Sequence, residues 1–256
     1  MKIIVIDDDP TGSQTVHDCL LLLKWDYKTL MKGINSNSKI LFILANTRSL
    51  SPNNLKIRLE EICLTLKKVI SNSYNQQDYV LITRGDSTLR GHNFLEPYYI
   101  NEFIGPFDAT FYIPAFLEGN RITINGNHFV NNIPAHETIF AQDRVFGYET
   151  NNIKNILYKQ SDSKINMENI HNLTLSELNI LQMNENNKVF NFLENLEKNV
   201  KVIVDTHDYH ELNKFASVIK TLIHKKKFLF RTAASFVKAI SGINANNKDN
   251  LYYSNL

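Results

Sequence analysis

Short apolar runs alternate with longer segments of helical periodicity along this chain. The runs are nearly continuous in Ile, Val, Leu and Phe, as expected of strands that are covered on both faces. They predict strands at 3–6, 40–44, 79–82, 110–113, 200–204 and 228–230. The periodic segments predict helices at about 14–24, 54–70, 96–104, 175–197, 210–224 and 232–241. This alternation predicts an α/β fold, with a mainly parallel sheet flanked by helices on both faces.

Residues 115–148 interrupt the alternation, because they are rich in Gly, Asn, Pro and Thr. Within them, Asn125-Gly126 lies between two segments of alternating character, which is a strong hairpin signal. We therefore predict an inserted β-hairpin at about 119–130. Residues 140–148 should then pass over the edge or the mouth of the sheet.

Polar residues collect directly after the predicted strands. Asp7 to Ser13 follows the first strand, and Arg84 to His92 follows the third. In open parallel sheets, ligands bind beyond the carboxyl ends of the strands. We expect these two clusters to meet on one rim with the polar segments at 46–49, 118–121 and 205–208.

The loop after the third strand combines Arg84, Asp86, Ser87, Thr88 and Arg90. A guanidinium binds a carboxylate through two hydrogen bonds, whereas carboxylates and hydroxyls pair with alcohols. The set therefore predicts a site for a small, anionic, hydroxylated molecule. A capped helix start, with one arginine paired to a surface acid, is the alternative, but capping does not require so many polar groups.

Three adjacent aspartates follow the first strand. A turn and a helix cap explain Pro10, Gly12 and Ser13, but not three carboxylates that repel one another. One carboxylate among Asp7–Asp9 should face a ligand or a metal. Arg48 is either a ligand-binding residue or part of a turn before a helix that Ser51 caps.

Other motifs restrict the function. Asp208 is better explained as a helix cap than as a site residue, because it follows a buried strand and precedes a helical pattern. The histidines have no zinc-ligand spacing, and neither common glycine-rich phosphate-binding sequence is present. We therefore assign no metal-binding and no cofactor-binding residue to this chain.

Composition sets the broad class of the protein. A chain of 256 residues that is 43% hydrophobic can bury a full core. The net charge is +2, and the only basic run, Lys225–Lys227, is typical of a solvated turn, so we expect no nucleic-acid partner.

The most apolar helical pattern, at 19–23, is too short to span a bilayer. Cys19 and Cys63 are predicted to be core residues, and so few thiols fit a reducing, cytoplasmic location.

Several motifs in order carry a resemblance to a known family. They are Asp7–Val16, Arg84–His92, Pro114–Phe116, Gly119 with Arg121–Thr123, the segment around Asp143, and Arg231–Phe236. On these residues, the chain resembles the N-terminal, substrate-binding domain of the four-carbon acid sugar kinases. That family phosphorylates erythronate-, threonate- and dehydroerythronate-type acids with ATP.

The resemblance implies that substrate and nucleotide bind to two different domains. Residues 1–242 would be the substrate-binding domain and 243–256 a linker-like tail, while the C-terminal nucleotide-binding domain would be absent. ATP and Mg²⁺ would bind mainly to that domain, which a separate chain would have to supply. Asp8 would orient the attacking hydroxyl or act as its general base. The expected substrate contacts are Asp9, Thr11, Gly12, Arg48, Arg84, Asp86, Ser87, Thr88 and Arg90.

Two other functions stay open. The domain would act alone as a sugar-acid binding module, or persist as an inactive fragment, if no nucleotide-binding partner exists. Alternatively, Asp7, Asp9 and Thr11 match the Asp-x-Asp-x-Thr motif of haloacid-dehalogenase-like phosphatases, in which Asp7 would be the phosphorylated nucleophile. This second alternative leaves the paired arginines without a role.

Overall fold

A parallel sheet lies at the centre of the computed structural model, which describes residues 1–73, 79–162 and 164–243. Within these residues its strands are β1 (Lys2–Asp7), β2 (Leu20–Leu22), β3 (Ile40–Leu44), β4 (Tyr79–Arg84), β5 (Ala109–Ile113), β9 (Ile170–Leu173), β10 (Val200–Val204) and β11 (Phe228–Thr232). The spatial order is β2-β3-β1-β4-β11-β5-β10-β9, and every neighbouring pair is parallel. All six predicted strands are therefore present.

Helices cover both faces of this sheet. They are α1 (Tyr27–Ile34), α2 (Pro52–Asn72), α3 (Leu95–Ile104), α4 (Ile153–Gln160), α5 (Leu175–Ile180), α6 (Lys188–Glu194), α7 (Tyr209–Leu222) and α8 (Ala234–Ser241). Successive side chains of a strand point to opposite faces. Ile4 and Ile6 accordingly pack with α1, α2 and α3, whereas Ile3 and Val5 pack in the core beneath α5 to α8. The predicted fold class is confirmed.

The predicted hairpin is also present. Strands β6 (Arg121–Ile124) and β7 (Asn127–Val130) pair antiparallel, and β8 (Ile133–Pro134) adds a third strand. Asn125 and Gly126 have φ values of 51° and 70°, as a two-residue turn between twisted strands requires. The carboxylate of Asp205 accepts hydrogen bonds from both of their amides, at 2.6 and 2.9 Å. The turn is thereby fixed to the carboxyl end of β10.

Two helix predictions are wrong. Residues 14–24 form turns and the edge strand β2, because Leu20–Leu22 pairs with β3 instead of continuing a helix. Cys19 therefore lies in a non-helical segment and is half-buried, whereas Cys63 is buried in α2 as predicted. The single helix predicted at 175–197 is two helices, α5 and α6, and Asn187 caps the second.

Several other features bear on the predictions. The caps at Ser51 and Asp208 are confirmed, with side-chain hydrogen bonds to backbone amides of α2 and α7. None of the described helices is long and apolar enough to cross a membrane. The predicted tail at 243–256 lies outside the described residues except for Ile243, and the domain boundary stays a prediction.

Candidate functional site

The loops after β1, β3 and β4 meet at the carboxyl edge of the sheet, as predicted. They enclose a cleft of about 370 Å³ together with residues from the segment after β8. Its charged lining residues are Asp8, Asp9, Arg48, Arg90 and Asp143. Four of these five are residues that the sequence singled out as catalytic or substrate-binding.

Asp8 lies at the floor of the cleft and is 2% exposed. Arg48 donates two hydrogen bonds to its carboxylate, from Nε at 3.1 Å and from Nη2 at 2.7 Å. From below, Nη2 of Arg231 lies 3.8 Å from Oδ2 of Asp8. Burial raises the pKa of Asp8 to about 6, although the two arginines oppose this rise. A carboxylate with a pKa close to neutral that reaches a cleft is suited to general-base chemistry.

Asp9 forms a second wall of the cleft. Its carboxylate accepts hydrogen bonds from the amide and hydroxyl of Thr11 and from Nη1 of Arg84, and it pairs with Arg48 at 2.5 Å. Burial works to raise the pKa of Asp9, but the hydrogen bonds from Thr11 and the two guanidiniums lower it. Asp9 is therefore ionised at neutral pH.

Arg84 does not reach the open part of the cleft. It is 4% exposed, and its guanidinium donates to Asp9 at 2.7 Å and to the hydroxyl of Thr11 at 3.0 Å. Gly12 is also buried, with its backbone against the side chain of Asp7. Arg84, Thr11 and Gly12 thus hold the wall in position, and direct contact of any of them with a substrate stays a prediction.

Arg90 is the guanidinium that faces the cleft most openly. Its Nε donates to Asp86 at 2.6 Å, and its guanidinium lies 5.2 Å above the ring of Phe140. Nη1 lies 4.0 Å from Asp143, and the side chain is 31% exposed. Because Asp86 engages only Nε, the outer nitrogens remain available for a ligand carboxylate.

Asp86, Ser87 and Thr88 support Arg90 from behind. Thr88 donates its hydroxyl to Asp86 at 2.5 Å. Burial acts to raise the pKa of Asp86, but the hydrogen bonds from Arg90 and Thr88 lower it. The backbone oxygen of Ser87 accepts from Nε2 of the fully buried His128, whose pKa burial lowers to about 4. Neutral His128 thereby links the hairpin to this loop.

The segment predicted to cross the mouth of the sheet closes one side of the cleft. The carboxylate of Asp143 accepts from the amides of Val145 and Phe146, both at 2.9 Å. The ring of Phe146 meets that of His92 edge-on at 4.9 Å. Tyr148 donates its hydroxyl to the backbone oxygen of Thr88 at 2.7 Å. These contacts tie the segment to the loop after β4.

Sequence reasoning missed Arg231 and Glu96 as site residues. Both are buried, and Nη1 of Arg231 donates to Glu96, which also accepts from Thr47 and Thr83. This network holds the guanidinium of Arg231 beneath Asp8. A signal was available, because an arginine directly after the apolar run of β11 must be paired if it is buried.

Among the residues that the structure describes, two groups of acidic or histidine side chains are close enough to share a cation. They are Asp7–Asp9, and His207 with Asp208 and Glu211. In the first group, Arg48 and Arg84 already neutralise Asp8 and Asp9. In the second group, the carboxylates of Asp208 and Glu211 cap the first turn of α7. Both groups therefore have structural roles that do not require a metal.

A family model described as a sugar-binding N-terminal domain matches residues 3–240. The chain belongs to this family. The resemblance to the N-terminal domain of the four-carbon acid sugar kinases is thus confirmed. No curated protein sequence matches this chain.

Two of the solved structures with the same fold each come from a different bacterium. A DUF1537 protein of Haemophilus influenzae, HI1011, has a TM-score of 0.69 and 14% identity, with 95% of this chain and 57% of that chain covered. A DUF1537 domain of unknown function from Bordetella bronchiseptica, a domain-swapped dimer with bound citrate, has a TM-score of 0.70 and 18% identity, with 94% and 56% covered. This sugar-binding domain therefore spans little more than half the length of these structures.

Proposed function

We propose that this sugar-binding domain is the substrate-binding half of an ATP-dependent kinase for four-carbon sugar acids of the erythronate, threonate or dehydroerythronate type. One observation carries the proposal: Asp8, Asp9 and the outer nitrogens of Arg90 face the same cleft of about 370 Å³. A cleft of that size suits a small molecule. Its pairing of a guanidinium with two carboxylates suits a ligand that carries both a carboxylate and hydroxyls.

The cleft suggests how such an acid would be oriented. Arg90 would bind the ligand carboxylate, and Arg48, at 23% side-chain exposure, would assist from the opposite wall. Asp9 would accept hydrogen bonds from the hydroxyls. Asp8 would orient the terminal hydroxyl and take up its proton, which its pKa of about 6 favours. Holding the hydroxyl in one orientation would supply much of the rate enhancement.

ATP and Mg²⁺ would be bound elsewhere, on a nucleotide-binding domain of the same or a separate polypeptide. The described residues contain no glycine-rich phosphate loop, and the matched structures are considerably longer than this chain. ATP would supply the phosphoryl group across the cleft. The two cysteines are free thiols, which supports a cytoplasmic location.

Two observations bear on the competing functions. The Bordetella bronchiseptica structure holds citrate, a hydroxylated carboxylic acid, which supports the ligand class for either a kinase domain or a stand-alone binding module. Asp7, the nucleophile of the phosphatase hypothesis, is 1% exposed and is not among the residues that line the cleft. That position is unfavourable for attack on a phosphate ester.

Calorimetric titration of the chain with D- and L-erythronate and threonate tests the ligand class. Erythritol, which has the hydroxyls but no carboxylate, is the control ligand. Arg90→Met should weaken acid binding about tenfold or more, because charged hydrogen bonds are lost. Arg144→Met is the matched control, because Arg144 is an exposed arginine of the segment that closes one side of the cleft. This variant should bind as the wild type does.

The outcomes separate the functions. Equal binding of erythritol, or an unchanged affinity in Arg90→Met, would exclude the proposed acid site. To test the kinase, the chain is incubated with the acid, ATP and Mg²⁺, with and without a nucleotide-binding domain of this family. Phosphorylation of the acid only in the mixture would support the split kinase, and binding without phosphorylation would favour the stand-alone module.

A further inference from the structure

The charges that line the cleft and lie beneath it do not balance. Ion pairs within 4.0 Å join four carboxyl groups to three guanidiniums in one cluster. The carboxyls belong to Asp7, Asp8, Asp9 and Glu96, and the guanidiniums to Arg48, Arg84 and Arg231. With every group ionised, this largely buried cluster would carry one uncompensated negative charge, which is energetically costly.

The contacts identify Asp7 as the carboxyl that accepts no hydrogen bond from a guanidinium. Arg48 donates to Asp8, Arg84 to Asp9, and Arg231 to Glu96. Asp7 is 1% exposed, and its Oδ1 accepts no hydrogen bond. Its nearest cation is Nη1 of Arg84, at 3.6 Å, and that nitrogen is hydrogen-bonded to Asp9 instead.

Little solvent reaches Asp7 to compensate this charge, because the residue is only 1% exposed. A Cβ atom on Gly12 would stand 1.8 Å from Oδ2 of Asp7, so the backbone of Gly12 lies directly against the carboxyl. On the neighbouring strands, Asp7 is in register with the apolar Leu44 of β3 and with Arg84 of β4. The charged groups that face it are therefore Arg84 and its own neighbours Asp8 and Asp9.

We propose that Asp7 is a positioning residue that works in its protonated, neutral form and leaves Arg84 free to hold Asp9 in the wall of the cleft. This inference rests on the proposed function, because the wall that it concerns is that of the acid site. An ionised Asp7 would compete with Asp9 for the guanidinium of Arg84 and would repel Asp8 and Asp9. Both effects would displace the groups that are to meet the ligand.

The direction of the pKa shift agrees with this geometry. Burial raises the pKa of Asp7 to about 8, with a further rise from the charges of Asp8 and Asp9, against the opposing effects of Arg84 and of a hydrogen bond from the backbone of Asp9. Next to the cluster, burial lowers the pKa of His92, which interacts with Glu96, so that His92 stays neutral as Asp7 ionises. Asp7 is thus neutral at pH 7 and loses its proton between pH 7 and pH 9.

The test is the pH dependence of acid binding in three proteins. In the wild type, affinity for the tightest-binding acid should fall about fivefold or more between pH 7 and pH 9. Asp7→Asn has a neutral side chain of the same shape, and its affinity should stay constant over that range. Asp26→Asn, at an exposed helix cap where Asn serves as well as Asp, is the matched control and should follow the wild type.

A second readout requires no ligand. Because the pKa of Asp7 is higher in the folded than in the unfolded chain, its contribution to stability is present at low pH and is lost as pH rises through about 8. The Tm of the wild type should therefore fall relative to that of Asp7→Asn between pH 5 and pH 9. If Asp7→Asn does not fold, side-chain carbon NMR of the wild type should still find one aspartate with a midpoint near 8.

The outcomes are distinguishable. A wild-type fall in affinity that persists in Asp7→Asn would overturn the inference, as would an Asp7 carboxyl that titrates near pH 4. If no protein binds any acid, the proposed function fails, while the Tm profiles still decide whether Asp7 is neutral. A flat profile in Asp7→Asn beside a falling one in Asp26→Asn establishes the positioning role.

Discussion

The ion pair between Arg231 and Glu96 should be essential for stability, and Arg231→Met tests this. Arg231 is 4% exposed and Glu96 is 2% exposed. Methionine removes the guanidinium and leaves the carboxylates of Glu96 and Asp8 without that cation. Loss of one partner from a buried pair costs about 3–5 kcal/mol of unfolding free energy. In a chain of this size, that corresponds to a decrease in Tm of about 10 °C.

The assay is urea unfolding at pH 5 and pH 8, followed by the fluorescence of Trp25, the only tryptophan. Burial raises the pKa of Asp8 and Arg231 opposes that rise, so without the guanidinium Asp8 should be protonated more readily, and the destabilisation should be smaller at pH 5 than at pH 8. The double variant Arg231→Met, Glu96→Leu removes both charges and should recover more than half of the loss. Arg144→Met, at an exposed arginine, is the control and should stay within about 0.5 kcal/mol of the wild type.

Two results would refute this reasoning. The first is a decrease of less than about 1 kcal/mol in the unfolding free energy of Arg231→Met, which is too little for a broken buried ion pair. Alternatively, the loss in Arg231→Met could be equal at pH 5 and pH 8. Either result would mean that Glu96 and Asp8 find other partners when the guanidinium is removed.

Two further predictions concern residues outside the cleft. Burial raises the pKa of the Cys63 thiol to about 12, so a thiol-specific reagent at pH 8 should modify only half-buried Cys19 until denaturant is added. Comparable rates for both thiols in the native chain would contradict the burial of Cys63. Asp208→Ala should lower the unfolding free energy by about 1 kcal/mol, because the first turn of α7 loses its cap. Asp208→Asn should have little effect, since asparagine also caps helices. Equal stability of the two variants would contradict the capping role.

The central strands could be predicted from the sequence because both of their faces are buried. Strands such as β1 and β3 consist almost entirely of apolar residues for that reason. The edge strand β9 contains His171 and Asn172, since an edge has less apolar cover, and it was not predicted. The apolar pattern that identifies a strand in the sequence is therefore weaker when the strand is less buried.

The wrong helix predictions have a different cause. A short apolar run such as Leu20–Leu23 is compatible with a helix or a strand, and only pairing with β3 decides between them. In the segment at 175–197, the turn-forming asparagines at 184–187 indicate a break, whereas the apolar period on either side of them favours one continuous helix. The cap at Asn187 shows that the turn chemistry was the better guide.

The place of the candidate site was predictable, but its pairings were not. Polar clusters after buried strands mark the rim of a parallel sheet from the sequence alone. Which arginine meets which carboxylate depends on partners far apart in the chain, such as Arg84 with Asp9 or Arg231 with Glu96. Sequence patterns therefore identified Arg90 and Arg84 alike, although only Arg90 faces the cleft.

Among the described strands, β11 comes last in the sequence, and its place in the sheet affects how the chain folds. β11 lies between β4 and β5, so Leu229 pairs with Leu81, across a long stretch of intervening chain. Contacts between such distant residues slow folding, because the entropy of closing a long loop is lost before they form. A nascent chain that ends before β11 has a gap in the middle of its sheet and lacks Arg231 beneath Asp8. The fold and the cleft are therefore completed together, by the same late strand.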